Sequence, residues 1–394
     1  MITLDGSTLE GGGQLVRVAL ALSAITITPI RIHSIRANRA PKHNKRSNKV
    51  EGGLKESHLA ALEWLAKQTN ARVDGAEVGS RDIVFKARRR LPLKPKKPND
   101  SNTEWTNIFL KKPGSVWLIF QALFPYILFG CEERKMVLVL RGGTNVDKSM
   151  SGEFVVQVLL PTLRKIGVKA DVVLETVRRG WAGNAPEIGE VKITIDKGSK
   201  ESMTLGSFEV VERGDIEKLV LSVVASPDSL RERIIERVET LSKERIGVSV
   251  EVEIDEDSGD DRRLYVLLVA HTTNDWRLGR DFLGSGAAIQ NDAHLARLID
   301  GCSKRVIDDL QTEIGRGGCV DEHLQDQLGI FQALAKGQTV VDAGQGQQEG
   351  TLHTQTVRWV CEEVLQNVKF GADGSCGIKK DASSLAEELK DLEL

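Results

Sequence analysis

Two short stretches toward the C-terminal end carry residues able to do covalent chemistry. One is Gly350-Thr351-Leu352-His353-Thr354-Gln355-Thr356, and upstream of it lies Asp321-Glu322-His323-Leu324-Gln325-Asp326-Gln327. Each sits where a loop gives way to an apolar-periodic helix. A histidine there is a candidate nucleophile or anion ligand, because the unpaired N–H groups and the dipole of a helix N-terminus favour negative charge. The alternative is a polar first-turn residue that faces water.

A second set lies near the N-terminus. Asp5-Gly6-Ser7-Thr8-Leu9-Glu10-Gly11-Gly12-Gly13-Gln14 follows a short strand, Ile2-Thr3-Leu4, and precedes Leu15 to Leu22, which reads as a buried helix. Strand, glycine loop and helix is a phosphate-cradling order. This loop lacks the Gly-Lys-Ser/Thr ending of a Walker motif, and its glycines do not fit the dinucleotide spacing. The glycine run is expected to form a tight turn that brings backbone close to another group. Glu10 is either a metal ligand or a first-turn acid. Arg36 and Arg39, at the end of a strand predicted over 30–36, form a candidate anion fork.

The bulk properties frame these residues. A chain of 394 residues suggests two domains, or one large domain with an insertion. With 40% hydrophobic and 28% charged residues the composition is that of a soluble globular protein, and no apolar run approaches a membrane span. No basic start followed by an apolar block opens the chain, so an intracellular, non-secreted protein without membrane partners is expected. The five cysteines are scattered and never form a CxxC pair, which indicates reduced thiols rather than a disulfide framework or a zinc site. Net charge is −2, yet Lys42, Lys45, Arg46 and Lys49 form one acid-free basic run, and Lys86, Arg88, Arg89, Arg90, Lys94, Lys96 and Lys97 form another. Such runs hold phosphate backbones or serve as nuclear localisation signals, or else are solvated loops.

The elements that must position these residues recur. After the first helix come strand 30–36, an amphipathic helix within Gly52 to Ala66, and strands at 72–74 and 83–85. The same order returns with helix Val116 to Phe129, strand Met136 to Leu140, helix Phe154 to Ile166, and strands at 168–177 and 190–195. It returns again with helix Asp326 to Ala335, strand 339–341, helix Thr351 to Val364 and short strands. Ile119-Phe120-Gln121-Ala122-Leu123 and Ile330-Phe331-Gln332-Ala333-Leu334 repeat literally in equivalent helices. Repeated α/β units of this kind stack around a shared core. A different texture interrupts them: strands at 207–211 and 219–224, helix Ser229 to Lys243, strands at 248–254 and 264–270, and a helix near Ala293 to Leu310. It reads as an inserted α+β domain, with Asp255 to Asp261 as an exposed hairpin tip. The expected fold class is therefore α/β, with a large domain of three repeated two-helix, four-strand units and a smaller α+β domain inserted before the third. The expected boundaries are 1–203 for units one and two, 204–316 for the insert, and 317–394 for unit three and an acidic tail.

This combination resembles the RNA 3′-terminal phosphate cyclases, in their nucleophile-bearing, eukaryotic-like branch. The resemblance covers nearly the whole chain and is carried by Asp5-Gly6-Ser7, Glu10 to Gln14 with Arg17, Ile35-Arg36-Ala37-Asn38-Arg39, Val320 to Leu328 and Gly350 to Thr356. It implies a large domain like that of enolpyruvyl transferases and the C-terminal domain of bacterial translation initiation factor three. It implies that His353 attacks the α-phosphorus of ATP to give a covalent histidine-AMP. The adenylate then passes to an RNA 3′-phosphate, and the 2′-hydroxyl closes a 2′,3′-cyclic phosphate. On the same basis Gln121, His323, Asp326 and Gln327 fall on nucleotide-binding positions, and Arg17, Arg36, Arg39 and His58 on a phosphate-handling set. Glu10 falls on the position of a divalent metal, Mg²⁺ or Mn²⁺. The substrate is then RNA with a 3′-terminal phosphate rather than DNA, and the implied location is the nucleoplasm, with the cytoplasm also open. The chain departs from the family pattern at His323 (usually Tyr), Ser57 (usually Gln), Met150 (commonly Pro) and the loop 181–189. Cyclase-like ribosome-assembly factors share this fold as non-catalytic binding proteins in small-subunit rRNA maturation, but lack the nucleophilic histidine. An enolpyruvyl transferase would instead show two similar halves.

Overall fold

The computed structural model describes residues 1–38, 52–88, 103–199 and 203–378. The first unit runs β1 (Ile2–Asp5), α1 (Gly13–Thr26), β2 (Ile30–His33), α2 (Glu56–Thr69), β3 (Arg72–Asp74) and β4 (Ile83–Lys86). Its sheet has the order β1-β2-β4-β3, with β1 and β2 parallel and the other pairings antiparallel.

The second unit repeats that topology. It contains β5 (Thr103–Phe109), α3 (Val116–Phe129), β6 (Lys135–Gly142), short helices α4 (Gly152–Phe154) and α5 (Leu160–Lys165), then β7 (Asp171–Arg178) and β8 (Gly189–Asp196) in a sheet ordered β5-β6-β8-β7. Between α4 and α5 the turn Val155–Leu159 is π-helical, so the continuous helix expected over 154–166 carries a register change. Strand β5 was not legible: its outward residues include Thr103, Trp105 and Asn107, and only Thr106 and Ile108 turn fully inward.

The third unit draws its first strand, β9 (Glu209–Val210), from ahead of a separate sheet. That sheet is built from β10 (Ile216–Ala225), β11 (Val250–Asp257), β12 (Leu264–Thr272) and β13 (Arg277–Leu283), with helices α6 (Asp228–Arg245) and α7 (Asp292–Arg316). The chain then continues as α8 (Glu322–Leu334), β14 (Thr339–Val341), α9 (Leu352–Leu365), β15 (Val368–Phe370) and β16 (Ser375–Ile378). β9 pairs in parallel with β14, giving the sheet β15-β16-β14-β9 the same connectivity as the other two. A boundary at 204 places β9 with the insert, whereas its pairing places it with the third unit.

In the separate sheet the order is β11-β10-β12-β13. β11 and β12 therefore flank β10 instead of pairing, and the acidic segment between them is a crossover, not the tip of a hairpin. β13 has no apolar run to betray it, because Arg277, Gly279, Arg280 and Asp281 face other parts of the chain.

Periodic burial explains the layering. β8 alternates buried and half-buried residues along its whole length, so one face of its sheet meets the helices. α1 is buried from Gln14 to Ala24 because α2, α3 and α9 surround it. One apolar core, from Leu4 through Phe120 to Val360, joins the three units, and a second, from Leu219 to Leu310, lies between α6, α7 and the insert's sheet. The other face of that sheet, with Val220, Tyr265 and Val269, packs into the first core. All five cysteines are buried thiols, and no helix of the described residues is long and apolar enough to cross a membrane.

Candidate active site

The N-terminal ends of α1, α2, α8 and α9 bring the sequence-selected residues together. α9 starts at Thr351, whose hydroxyl accepts the Thr354 N–H at 3.3 Å, and so places His353 in the first turn with an exposed side chain. One turn on, the Thr356 hydroxyl accepts the backbone N–H of Glu10 at 3.2 Å and donates to the Leu352 carbonyl at 2.6 Å. The glycine loop of the first unit is thereby fastened to the helix that carries His353. This is the close approach expected of the glycine run.

Two glycines make room for the groups around it. A Cβ on Gly12 would lie 1.9 Å from Glu10 Oε1, and one on Gly13 would lie 2.4 Å from His58 Nε2 and 2.7 Å from Arg17 Nη1. The Glu10 carboxylate, the His58 ring and the Arg17 guanidinium thus converge on the first residues of α1.

Arg17, itself buried, anchors a chain of amides. Its Nε donates to Gln121 Oε1 at 2.6 Å, and Nη2 donates to Gln14 Oε1. Gln121 Nε2 donates to Gln327 Oε1 at 2.8 Å and to Gln14 Oε1 at 3.3 Å, and Gln327 Nε2 donates to Asp326. Residues from α1, α3 and α8, one helix of each unit, therefore form one polar wall of a cleft. Its other wall is apolar, with Phe120, Phe124, Met150 and Phe331. Gln14 joins this wall although its type and spacing gave it no assigned role; its only signal is its place directly after the glycine run.

Burial sets the electrostatics. It pulls the Arg17 guanidinium down to about 10, against the opposing pull of Glu10 and Asp326, so Arg17 stays charged at neutral pH. Burial, then Arg17, Arg36 and Lys55, hold His58 well below the usual imidazole range. His58 is neutral, and because Nδ1 accepts the Lys55 N–H at 3.2 Å, its ring proton sits on Nε2, the atom beside Gly13. Burial pushes Asp326 up to about 7, with His323 and its Gln327 hydrogen bond opposing.

α8 begins earlier than expected, with Asp321 as its cap: Oδ1 accepts from His323 N at 2.9 Å and Leu324 N at 2.8 Å. His323 then lies on the same helical face as Asp326 and Gln327. Its exposed ring packs edge-on to Phe154, 6.4 Å between centroids.

β2 ends at His33, before the arginine pair. Arg36 sits in the following turn at φ 54°, where Nη1 donates to the Gly53 carbonyl at 3.1 Å. Arg39 lies outside the described residues, as do the basic run 42–49, most of the run 86–97, and the acidic tail. Among the described residues no group of three or more His, Cys, Asp or Glu side chains could hold a metal ion. The Glu10 carboxylate is a single hard oxygen donor, of the kind an ion held mainly by phosphate oxygens and water would take.

The family model for RNA 3′-terminal phosphate cyclase matches residues 8–371. The chain is 32% identical over 378 residues to the RNA 3′-terminal phosphate cyclase of Pyrococcus abyssi, covering 96% of each chain. It is 31% identical over 391 residues to the protein of that name from Staphylothermus marinus, again with 96% of each covered. With the one from Korarchaeum cryptofilum it shares 32% over 384 residues and 95% of each chain.

Proposed function

The chain belongs to the RNA 3′-terminal phosphate cyclase family, and from that premise we propose that it uses ATP to convert an RNA 3′-terminal phosphate to a 2′,3′-cyclic phosphate through a covalent adenylate on His353. The observation that carries this reading is the placement of His353 in the first turn of α9, one turn ahead of Thr356, which binds the Glu10 loop. An imidazole there can approach a phosphate held by helix-terminal amides.

In the first step an imidazole nitrogen of His353 forms a bond to the α-phosphorus, and the bond to pyrophosphate breaks. Arg17 and Arg36 bind phosphate oxygens, and His58 Nε2–H donates to another. Gln121, Asp326, Gln327 and His323 hold the nucleoside against the apolar wall of the cleft. Glu10 would hold the divalent ion, which neutralises phosphate charge. In the second step an oxygen of the RNA 3′-phosphate displaces His353 from the adenylate. In the third the 2′-hydroxyl attacks the RNA phosphorus, its proton is lost, and AMP leaves. Arg39 joins the phosphate-handling set in this reading, the protein belongs to the eukaryotic-like branch, and nuclear residence rests on the two basic runs.

The test is incubation with α-labelled ATP and Mg²⁺ or Mn²⁺, followed by denaturing electrophoresis. Wild type is expected to give an acid-labile, alkali-stable adduct that His353→Ala lacks. No adduct from folded wild type, under conditions where a related cyclase labels, overturns the enzymatic reading in favour of a binding role.

A further inference from the structure

Arg280 stands on β13 of the insert's sheet, yet its side chain reaches the first turn of α8. Only 8% of the residue is exposed. Nη1 lies 2.8 Å from Glu322 Oε1 and 3.1 Å from His323 Nε2, while Nη2 donates to Glu313 on α7. Glu313, 2% exposed, also accepts from Arg316 Nη1 at 2.8 Å, so the guanidinium is held from behind. The preceding residue reinforces the grip: the Gly279 N–H donates at 2.8 Å to Oδ2 of Asp321, the cap of α8.

A guanidinium has five N–H donors and no acceptor, and stays protonated. The nitrogen of His323 that meets Nη1 must therefore be the one bearing the lone pair. An imidazolium, or the Nε2–H tautomer, would set donor against donor at 3.1 Å. We propose that Arg280 is a positioning residue for nucleotide binding: from the inserted unit it fixes the ring of His323 and its Nδ1–H tautomer, so that this position offers the nucleotide a hydrogen-bond donor and never an acceptor. The ligand group that His323 selects is accordingly an acceptor, a purine ring nitrogen or a ribose or phosphate oxygen, and not an exocyclic amine. The proposal rests on the reading of His323 as part of the nucleotide site. It also gives the insert a task in that site which the three repeated units do not perform.

The experiment uses the full chain with ¹⁵N-histidine labelling and reads two quantities, the tautomer of His323 from its ring nitrogens and the Kd for ATP by equilibrium dialysis. His323→Phe identifies the resonance. Wild type is expected to carry the proton on Nδ1. Arg280→Gln is expected to move His323 toward a mixture of tautomers and to weaken ATP binding about tenfold, the loss of roughly one charge-assisted hydrogen bond. Arg280→Gln with Glu313→Gln, which leaves no buried carboxylate without its partner, should do the same and guards against loss of fold. In a His323→Phe background, Arg280→Gln should change Kd less than about twofold, because the arginine acts through the imidazole. An unchanged tautomer in Arg280→Gln, or an equal loss of affinity in the His323→Phe background, overturns the proposal. Wild type that binds ATP without forming an adduct sinks the catalytic reading alone, and the tautomer and Kd still decide the role of Arg280. Wild type that binds no ATP overturns both.

Discussion

Arg17 Nε donates to Gln121 Oε1 at 2.6 Å, joining the first helix of the first unit to the first helix of the second inside the candidate cleft. Gln121→Ala leaves that buried donor without its acceptor, at a cost of ~1–3 kcal/mol. The denaturation midpoint is expected to fall and ATP binding to weaken. Gln121→Glu retains the acceptor for Arg17 but loses the donor to Gln327 and Gln14, so it should recover stability only in part while repelling a triphosphate. ATP affinity at the wild-type level in Gln121→Ala would reduce the bridge to a structural role.

Gly13→Ala tests the convergence on α1. The added methyl would sit 2.4 Å from His58 Nε2, so the ring must move away from the helix start. Adenylate formation should drop by about two orders of magnitude, since small displacements at a reacting centre are costly. The methyl also displaces the buried Arg17 guanidinium, 2.7 Å away, so the melting temperature should fall by the equivalent of ~1–3 kcal/mol. A single-turnover assay beside a thermal melt separates the two, and an unimpaired rate would show that His58 does not need its place.

Asp326 makes stability depend on pH. Its pKa is raised from 3.8 to about 7, so between roughly pH 4 and 7 the folded chain holds a proton that the unfolded chain has released. This group's contribution therefore falls as pH rises through that window and is constant above it. Asp326→Asn removes the titration. The loss of unfolding free energy between pH 5 and pH 8 should shrink by ~1–3 kcal/mol, read from denaturant melts at both values. An identical pH profile in the variant would contradict the assignment.

Thr356 is the link between α9 and the glycine loop. Thr356→Val removes the acceptor for the Glu10 N–H and is expected to cost ~1 kcal/mol. Adenylation should fall with it, because the loop is no longer fastened beside His353. Thr356→Ser keeps the hydroxyl and should rescue both. Failure of serine to rescue the rate would show that the hydroxyl bond alone does not keep the loop in place.

Much of the fold was legible because its signals are local. Three returns of one helix and strand order follow from periodicity, whereas the literal repeat around Gln121 and Gln332 falls in the equivalent helices α3 and α8 but out of register relative to their caps, Ser115 and Asp321. β5 and β13 were not legible, since an edge strand that exposes Trp105 and Phe109 and buries Thr106, and a strand full of charged contacts, carry no apolar alternation. The acidic segment after β11 was misread as a hairpin because strand order within a sheet is a long-range property.

At the candidate site the division is similar. The sequence by itself determined which residue types were on offer: histidines at two helix starts, a glycine run after Glu10, and arginines spaced for phosphate. The caps Asp321 and Thr351 are local features that fix where α8 and α9 begin. Only the tertiary structure decided that Arg17, Gln14, Gln121 and Gln327 form one wall, because these residues come from three separate units and meet only when the helices pack. Burial, joined at His58 by the nearby cations Arg17, Arg36 and Lys55, moved Asp326 and His58 away from their ordinary titration, and both effects are properties of neighbours. The reach of Arg280 to His323 left no trace in the sequence, since it depends on how the insert's sheet is docked on α8 and on a guanidinium having nothing to offer but donors.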